Sequence, residues 1–409
     1  MGLAASALAS SPFALNYPGP HAMPFAMFRR LPFIILALHG YVGWRLLPDL
    51  LPAAAAFGAT ALWLAVSVLA TPLWPLARRV TRQPLRDRLM WTSMLAMGSF
   101  SSLFVLTLFR DVALAASAVL GAHSVDTVLR HDGALAVPLL ALLATIVGFV
   151  NARRRAGIRR VDVPITGLPA ALHGFSIAQI SDLHVGPTIK RAYLDRVVDA
   201  VNGLGADMIA VTGDLVDGSV RDLSRHTEPL SRLTARHGAF FVTGNHEYYS
   251  GVGAWVHELR RLGLLVLMNE HVVLAHEGES VVVAGVTDFS AGYFDPAHVS
   301  DPARAMTGAP RGAGVRLLLA HQPRSAFAAA PAGFDLQLSG HTHGGQFFPW
   351  NYVVRLFHPF TAGLHRLDTL WIYISRGTGY WGPPKRLGAP SEITYLRLVP
   401  DPSSPPARG

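Results

Sequence analysis

The chain has 409 residues, of which 51% are hydrophobic and only 15% charged, and its mean hydropathy is +0.32. That balance excludes an ordinary water-soluble enzyme over the whole length and calls for membrane segments. The absence of cysteine excludes disulfides and thiolate metal sites. The net charge of +9 would suit nucleic acid, but the arginines cluster beside apolar runs, which reads better as membrane orientation.

Four apolar stretches occupy the first 150 residues: Leu31–Leu47, Ala53–Leu76, Leu89–Phe109 and Gly133–Val150. Each is near the roughly 20 residues needed to span a bilayer. The first is the weakest, with His39 and Arg45 inside or at its edge, and His39 is expected near the interface. A fifth run, Val112–Ala122, is too short to span and is expected to form a re-entrant or interfacial loop. Few charges lie at the span centres, so the region reads as an anchor and not as a transport path.

The flanks set an orientation. Arg29 and Arg30 precede the first span. Arg78, Arg79, Arg82, Arg86 and Arg88 lie between the second and third, and Arg153, Arg154, Arg155, Arg159 and Arg160 follow the fourth. The other two loops mix arginines with Asp49, Asp111, Asp126 and Asp132. The positive-inside rule then places the N-terminus, the second loop and everything after residue 151 in the cytoplasm. A twin-arginine export signal at Arg29 and Arg30 is the rival reading; the late start and three further spans count against it.

From Val161 the pattern changes. Short β-rich runs such as "FSIAQI", "MIAVT", "AFFVT" and "VRLLLA" alternate with polar turns and with helical patterns such as "KRAYLDRVVDAVNGLG". Runs of this kind suit strands buried on both faces or in a sandwich core. The expected plan is a four-span anchor over 1–152, a basic linker over 153–170, an α/β domain over 171–399 and a disordered Pro- and Ser-rich tail over 400–409.

Polar residues recur where these strands end. "ISDLHVG" gives Asp182 and His184, "TGDLVDG" gives Asp214 and Asp217, and "TGNHEYYSG" gives Asn245 and His246. "LLLAHQP" gives His321, and "SGHTHGG" gives His341 and His343. Ligands of an α/β sheet bind beyond the carboxyl ends of its strands. Taken singly, an Asp in a turn is a turn residue, a lone His is a hydrogen-bonded structural group, and Asn-His after a strand caps a helix. Taken together, these residues form the oxygen- and imidazole-rich set that Mn, Fe, Zn or Mg prefer.

The order Asp-x-His, Gly-Asp-x-x-Asp, Gly-Asn-His-Glu, His, Gly-His-x-His resembles the calcineurin-like metallophosphoesterase superfamily over roughly residues 170–400. "SGHTHGGQ", "GNHEYYSG" and "SRGTG" further resemble its bacterial membrane-associated branch, which acts on phosphodiesters or lipid–nucleotide pyrophosphates. The resemblance implies a β-sandwich flanked by helices in four layers. It also implies two divalent metal ions, Mn, Fe, Zn or Mg. One would be held by Asp182, His184, Asp214 and His343, the other by Asp214, Asn245, His321 and His341. A close metal pair of this kind clamps an in-line displacement at phosphorus. His246 would then face the substrate and stabilise the transition state or protonate the leaving oxygen. Asp217 would orient a histidine, or else is a plain turn carboxylate. Glu247 stays open between structural and functional roles.

Gly218 stands where the protein Ser/Thr phosphatases of the superfamily carry an arginine, which argues against a phosphoprotein substrate. Arg376, Lys385 and Arg386 in "SRGTGYWGPPKR" are candidates to bind an anionic substrate, with ordinary surface charge as the alternative. Tyr248, Tyr249, Phe347, Phe348, Trp350, Tyr380 and Trp381 either line a lipid- or base-binding cleft, dip toward the bilayer, or simply pack the loops. The expected function is a membrane-tethered phosphodiesterase or pyrophosphatase. Its partners would be membrane lipids and a phosphorylated, lipid-linked substrate such as UDP-diacylglucosamine. A metal-free scaffold, a nuclease and a cyclic-nucleotide phosphodiesterase are the alternatives. A scaffold should have lost a ligand, and a nuclease should carry its basic residues in the catalytic half. No nucleic acid is therefore expected.

Overall fold

The computed structural model of the chain describes residues 25–402. Residues 403–409 of the expected tail and the side chain of Arg29 lie outside the described residues. The chain divides into two units, with residues 382–387 grouped with the helices before Arg153.

The helical unit contains α1 (Phe25–Leu50), α2 (Ala54–Ala70), the short α3 (Leu73–Arg79), α4 (Gln83–Val119) and α5 (His123–Arg153). Four segments, Arg30–Leu50, Ala54–Arg79, Gln83–Val119 and His123–Arg153, are long and apolar enough to cross a membrane. Their inner faces meet at Val42, Leu46 and Leu50 of α1, Leu64 of α2, Phe100 and Leu103 of α4, and Ala134, Val137 and Ala141 of α5. Spacings of three and four residues put these on one face of each helix. Large apolar residues also cover the outside, among them Leu69, 73% exposed, and Leu139, 66% exposed. Helices apolar on both faces belong in lipid.

One expectation fails in this unit. Val112–Ala122 forms no separate loop, because α4 runs on to Val119 over 37 residues. At 1.5 Å per residue that is about 55 Å, well beyond the roughly 30 Å hydrocarbon core. The charges that seemed to end the span are neutralised inside the helix. Arg110 pairs with Asp49 and donates to the carbonyls of Leu129, Arg45 and Arg130, while Asp111 takes Arg45 and Tyr41. His39, expected near the interface, faces the neighbouring helices. It is buried, stacks on Phe100 at 3.6 Å and meets Ser67 Oγ at 3.0 Å, which makes it a link between helices.

The second unit is a sandwich of two six-stranded sheets. The first contains β1 (Gly157–Ile165), β2 (Ser176–Ile180), β3 (Met208–Val211), β4 (Ala239–Phe241), β5 (Leu265–Val266) and β12 (Glu392–Pro400), in the order β1-β12-β2-β3-β4-β5. The second contains β6 (Glu270–His276), β7 (Glu279–Gly285), β8 (Val315–Leu319), β9 (Leu336–Ser339), β10 (Gly363–Leu367) and β11 (Leu370–Ile374), in the order β10-β11-β9-β8-β7-β6. β2, β3, β4 and β5 run parallel to one another, as do β7, β8, β9 and β11.

Strand alternation explains the core. In β8, Val315, Leu317 and Leu319 face the space between the sheets, where they join Ile177, Met208 and Phe240. Leu318 points the other way, to an outer cluster with Ala305, Ala326 and Ala329 from short helical turns. Both faces are buried, so the strands read as unbroken apolar runs. The amphipathic α6 (Arg191–Asn202) buries Tyr193, Leu194, Val197, Val198 and Val201.

The segment expected as a basic linker over 153–170 is largely strand. β1 pairs in parallel with β12 from Gly157 opposite Glu392 to Ile165 opposite Pro400. Its arginines stay exposed while Val163 and Ile165 are buried, the pattern of an edge strand with one end in the core. The unit therefore begins near Arg154 and not at 171, and β12 extends its far end to Pro400.

Candidate metal centre

Every polar motif leaves the carboxyl end of a parallel strand. Asp182 and His184 follow β2, Asp214 follows β3, and Asn245 and His246 follow β4. His321 follows β8, and His341 and His343 follow β9. Three loops thus come from one sheet and two from the other, all at one end of the sandwich.

The loops turn sharply to gather these side chains. Asp182, His184, Asp214, His341 and His343 all have φ between 51° and 72°, in the left-handed region that side-chain-bearing residues avoid. Each such residue costs on the order of 1 kcal/mol or more, and strain of this kind collects at functional sites. Glycines permit the close approach. A Cβ on Gly340 would lie 2.1 Å from Asp182 Oδ2, and one on Gly244 would lie 2.2 Å from Asp214 Oδ1.

Three donor clusters result, one of them His184, Asp217 and His246; the other two gather the expected metal ligands. In the first, Asp182, His184 and His343 offer atoms within 4.8 Å of one another. His184 Nε2 and His343 Nε2 stand 3.0 Å apart, and His343 Nε2 lies 3.5 Å from Asp182 Oδ1. In the second, His321 Nε2 lies 3.1 Å from Asp214 Oδ2 and 3.2 Å from His341 Nδ1. Asp214 Oδ2 also stands 4.0 Å from His184 Nε2, so this one carboxylate faces both clusters.

The tautomers matter here. His184 Nδ1 donates to Asp217 Oδ1 at 3.1 Å, and His321 Nδ1 donates to the Thr212 carbonyl at 2.8 Å. In the neutral rings both Nε2 atoms are then bare lone pairs, aimed at other nitrogens and at carboxylate oxygens. Asn245 Oδ1 is buried with no hydrogen-bond partner. Lone pairs facing lone pairs, plus an orphaned carbonyl oxygen, fit divalent cations well.

The electrostatics agree. Burial raises Asp182, with Asp214 adding to the effect against the pull of His321. Burial would raise Asp214 too, but His321, His246 and His184 together hold it well below the usual carboxylate range. Burial would lower His321, yet Asp214 and Asp182 push it well above an ordinary imidazole. His341 is held far down by burial and by His321.

His246 sits beside this centre. Its Nδ1 donates to Asp217 Oδ1 at 2.5 Å, and its Nε2 lies 3.9 Å from Asp214 Oδ2. Burial alone would lower it, but Asp214 and Asp217 raise it to about 9. Tyr249 and Trp381 meet its ring edge-on at 5.1 and 6.0 Å.

Comparison with known proteins agrees with this geometry. The calcineurin-like phosphoesterase family model matches residues 175–345. An uncharacterized metallophosphoesterase of Campylobacter jejuni is 33% identical over 314 residues, which cover 75% of this chain and 82% of that protein. The chain belongs to the calcineurin-like phosphoesterases. It is also similar to proteins described as a transmembrane protein with metallophosphoesterase domain. The one from Danio rerio is 37% identical over 65% of this chain and 64% of its own length. The one from Bos taurus is 39% identical over 64% of this chain and 62% of its own length. The chain thus spans just under two thirds of those two relatives. With its four apolar helices, this phosphoesterase is membrane-associated.

The remaining expected residues divide. Asp217 accepts from both His184 and His246, so one carboxylate orients two imidazoles. Arg376 ion-pairs with Glu392 and packs against Gly344 in the loop of His341 and His343. Lys385 and Arg386 are held elsewhere than expected. They lie on the segment grouped with the helices, where Lys385 Nζ donates to the Gly98 carbonyl, Ser102 and Thr145. Arg386 donates its backbone N–H to Gly148 and accepts from Asn151. The Lys385 ammonium and the Arg386 backbone thus serve the helical unit. Tyr248, Phe347 and Tyr380 are buried loop packing, whereas Tyr249, Phe348, Trp350 and Trp381 are exposed.

Two residues were not singled out by their motifs. Glu247, open in the sequence, is fully buried and accepts from the backbone N–H groups of Gly244, Asp214 and Leu215. It fastens the Asp214 loop to the Asn245 loop, and burial beside Asp214 raises it to about 8. Asp288 is buried and takes both hydrogen bonds of the Gln322 amide, next to His321. Its signal was an Asp shortly after a strand end, in "GVTDFS".

Proposed function

We propose that the chain is a membrane-tethered, dinuclear-metal phosphoesterase that cleaves phosphodiester or pyrophosphate bonds of a lipid-linked substrate at the cytoplasmic face. The observation that carries this reading is the pair of buried donor clusters that share Asp214. Asp182, His184, Asp214 and His343 would hold one divalent ion, and Asp214, Asn245, His321 and His341 the other. When bound, the ions supply Lewis-acid charge to the phosphoryl group and activate the attacking water. The chain supplies the rest. With Nδ1 fixed by Asp217, His246 presents Nε2 toward the centre, where it would protonate the leaving oxygen. Asp217 holds that ring and His184 in a fixed tautomer. The apolar helices keep the chain in the plane where a lipid-linked substrate diffuses. The arginine-rich second loop and the arginines after the fourth span support a cytoplasmic catalytic unit. A nucleotide–lipid pyrophosphate such as UDP-diacylglucosamine fits this setting as one member of the substrate class.

The test is hydrolysis of bis-p-nitrophenyl phosphate by the full chain in detergent, first metal-free and then with Mn, Mg, Zn or Fe. Metal-dependent turnover is expected, lost in Asp214→Asn and reduced in His246→Ala. A folded chain with no turnover under any metal would return the scaffold reading.

A further inference from the structure

The loop of His341 and His343 continues into an excursion, 346–361, whose outer edge is rich in exposed large apolar side chains. Phe348, Trp350, Tyr352, Leu356 and Phe357 are all exposed, with Tyr352 at 58% and Leu356 at 74%. Water-facing surfaces rarely gather large apolar side chains at this density without a partner. Both ends of the excursion are fastened to the metal loop. Thr342 Oγ1 donates to the Thr361 carbonyl, and the His358 ring meets the His341 ring at 5.4 Å. On the other side Gly345 lies so close to Asn351 that a Cβ would stand 2.4 Å from its Cα.

The chemistry of the patch selects its occupant. No carboxylate occurs between Asp335 and Asp368. Arg355 lies over the Tyr352 ring at 5.7 Å, and Arg324 reaches the patch by donating to the Phe357 carbonyl at 3.1 Å. Exposed Trp, Tyr, Phe and Leu with arginine and no acid is the composition of a segment at the headgroup level of an anionic bilayer. A bilayer is also the one surface this chain always has nearby. It carries four apolar helices, and only residues 154–156 separate the last of them from β1. Such a tether turns a weak surface contact into an intramolecular one.

We infer that the excursion 346–361 is a bilayer-docking surface that seats Trp350, Tyr352, Leu356 and Phe357 in the headgroup region of anionic lipid and so brings the metal loop to lipid-borne phosphate. The docking itself is independent of catalysis. The delivery of lipid phosphate rests on the phosphoesterase reading above.

The absence of cysteine makes the test direct. Leu356→Cys, carrying an environment-sensitive fluorophore, is compared with Val273→Cys, an exposed position on β6, 45% exposed. Both full-length variants are placed in nanodiscs of phosphatidylcholine and phosphatidylglycerol, with and without lipids bearing a quencher near the headgroup. Docking predicts a blue shift and loss of fluorescence at 356 and neither at 273. Equal responses at the two positions, or none at 356, overturn it and leave the patch to a protein partner. In parallel, the double variant Leu356→Asp, Phe357→Asp is assayed on a membrane-embedded phosphodiester and on soluble bis-p-nitrophenyl phosphate. Delivery predicts a loss on the embedded substrate alone. Equal loss on both refutes delivery. If the unaltered chain cleaves neither substrate, the phosphoesterase reading fails, and the quenching result decides docking by itself.

Discussion

Both units bury charged and polar groups, but they finish them differently. In the helical unit Arg110, Lys385 and His39 each meet complementary partners. Arg110 has Asp49 and three carbonyls, Lys385 has a carbonyl and two hydroxyls, and His39 has Ser67. In the sandwich unit, nitrogen faces nitrogen at His184–His343 and His321–His341, and Asn245 Oδ1 faces nothing that can donate. A completed polar network is structure. A buried network short of positive charge is a binding site, because leaving such groups unpaired costs far more than filling them.

The comparison can be broken most sharply at Asp214. Asp214→Asn removes the charge that both clusters share. Diester turnover should fall by more than the ~100-fold typical of losing an outer partner of a metal ligand. A variant that keeps turnover would show that the clusters are only structural. Next comes metal removal. Chelation should lower the melting temperature of the sandwich unit, and restoring Mn at about 100 times its dissociation constant should return about 2.7 kcal/mol. A melting curve indifferent to chelator and metal would mean that nothing is held there. Asp217→Asn should cost about 10–100-fold in turnover or metal affinity, because two imidazoles lose their orienting carboxylate. Gly340→Ala should destabilise by about 1–3 kcal/mol through overpacking against Asp182 and Ser181. It should also weaken metal binding in calorimetry, and unchanged binding would show that the loop can shift.

The smallest effect on catalysis should come from Lys385→Met. This leaves a buried carbonyl and hydroxyls without their donor, at about 1–3 kcal/mol of stability in detergent. KM for a soluble diester should stay constant. A tenfold rise in KM would return Lys385 to the anion-binding role that its sequence context suggests.

The sequence exposed what local chemistry encodes. Asp182, Asp214, Asn245, His321, His341 and His343 each stand within a few residues of a strand end and mostly beside glycine, so the motifs could be found one by one and read together. The spans were legible because hydropathy is additive along a helix. What stayed hidden depends on partners far away in the chain. "GIRRVDVPI" reads as a basic linker until β12, more than two hundred residues later, supplies its ladder. Arg110 and Asp111 look like the end of a span until Asp49 and Arg45 neutralise them. Lys385 looks like a surface cation because nothing near it in sequence announces Gly98, Ser102 or Thr145. Glu247 shows its role only when the Asp214 and Asn245 loops lie side by side.

The pairing of β1 with β12 also governs how the protein can be cut. The change in composition at Val161 invites a soluble fragment starting there. That cut would discard Gly157–Arg160 and leave Glu392–Tyr395 as a bare sheet edge with open backbone donors and acceptors. Such an edge recruits the edges of other molecules. A fragment begun at Val161 should therefore aggregate through its last strand, whereas one begun before Gly157 keeps that strand sealed.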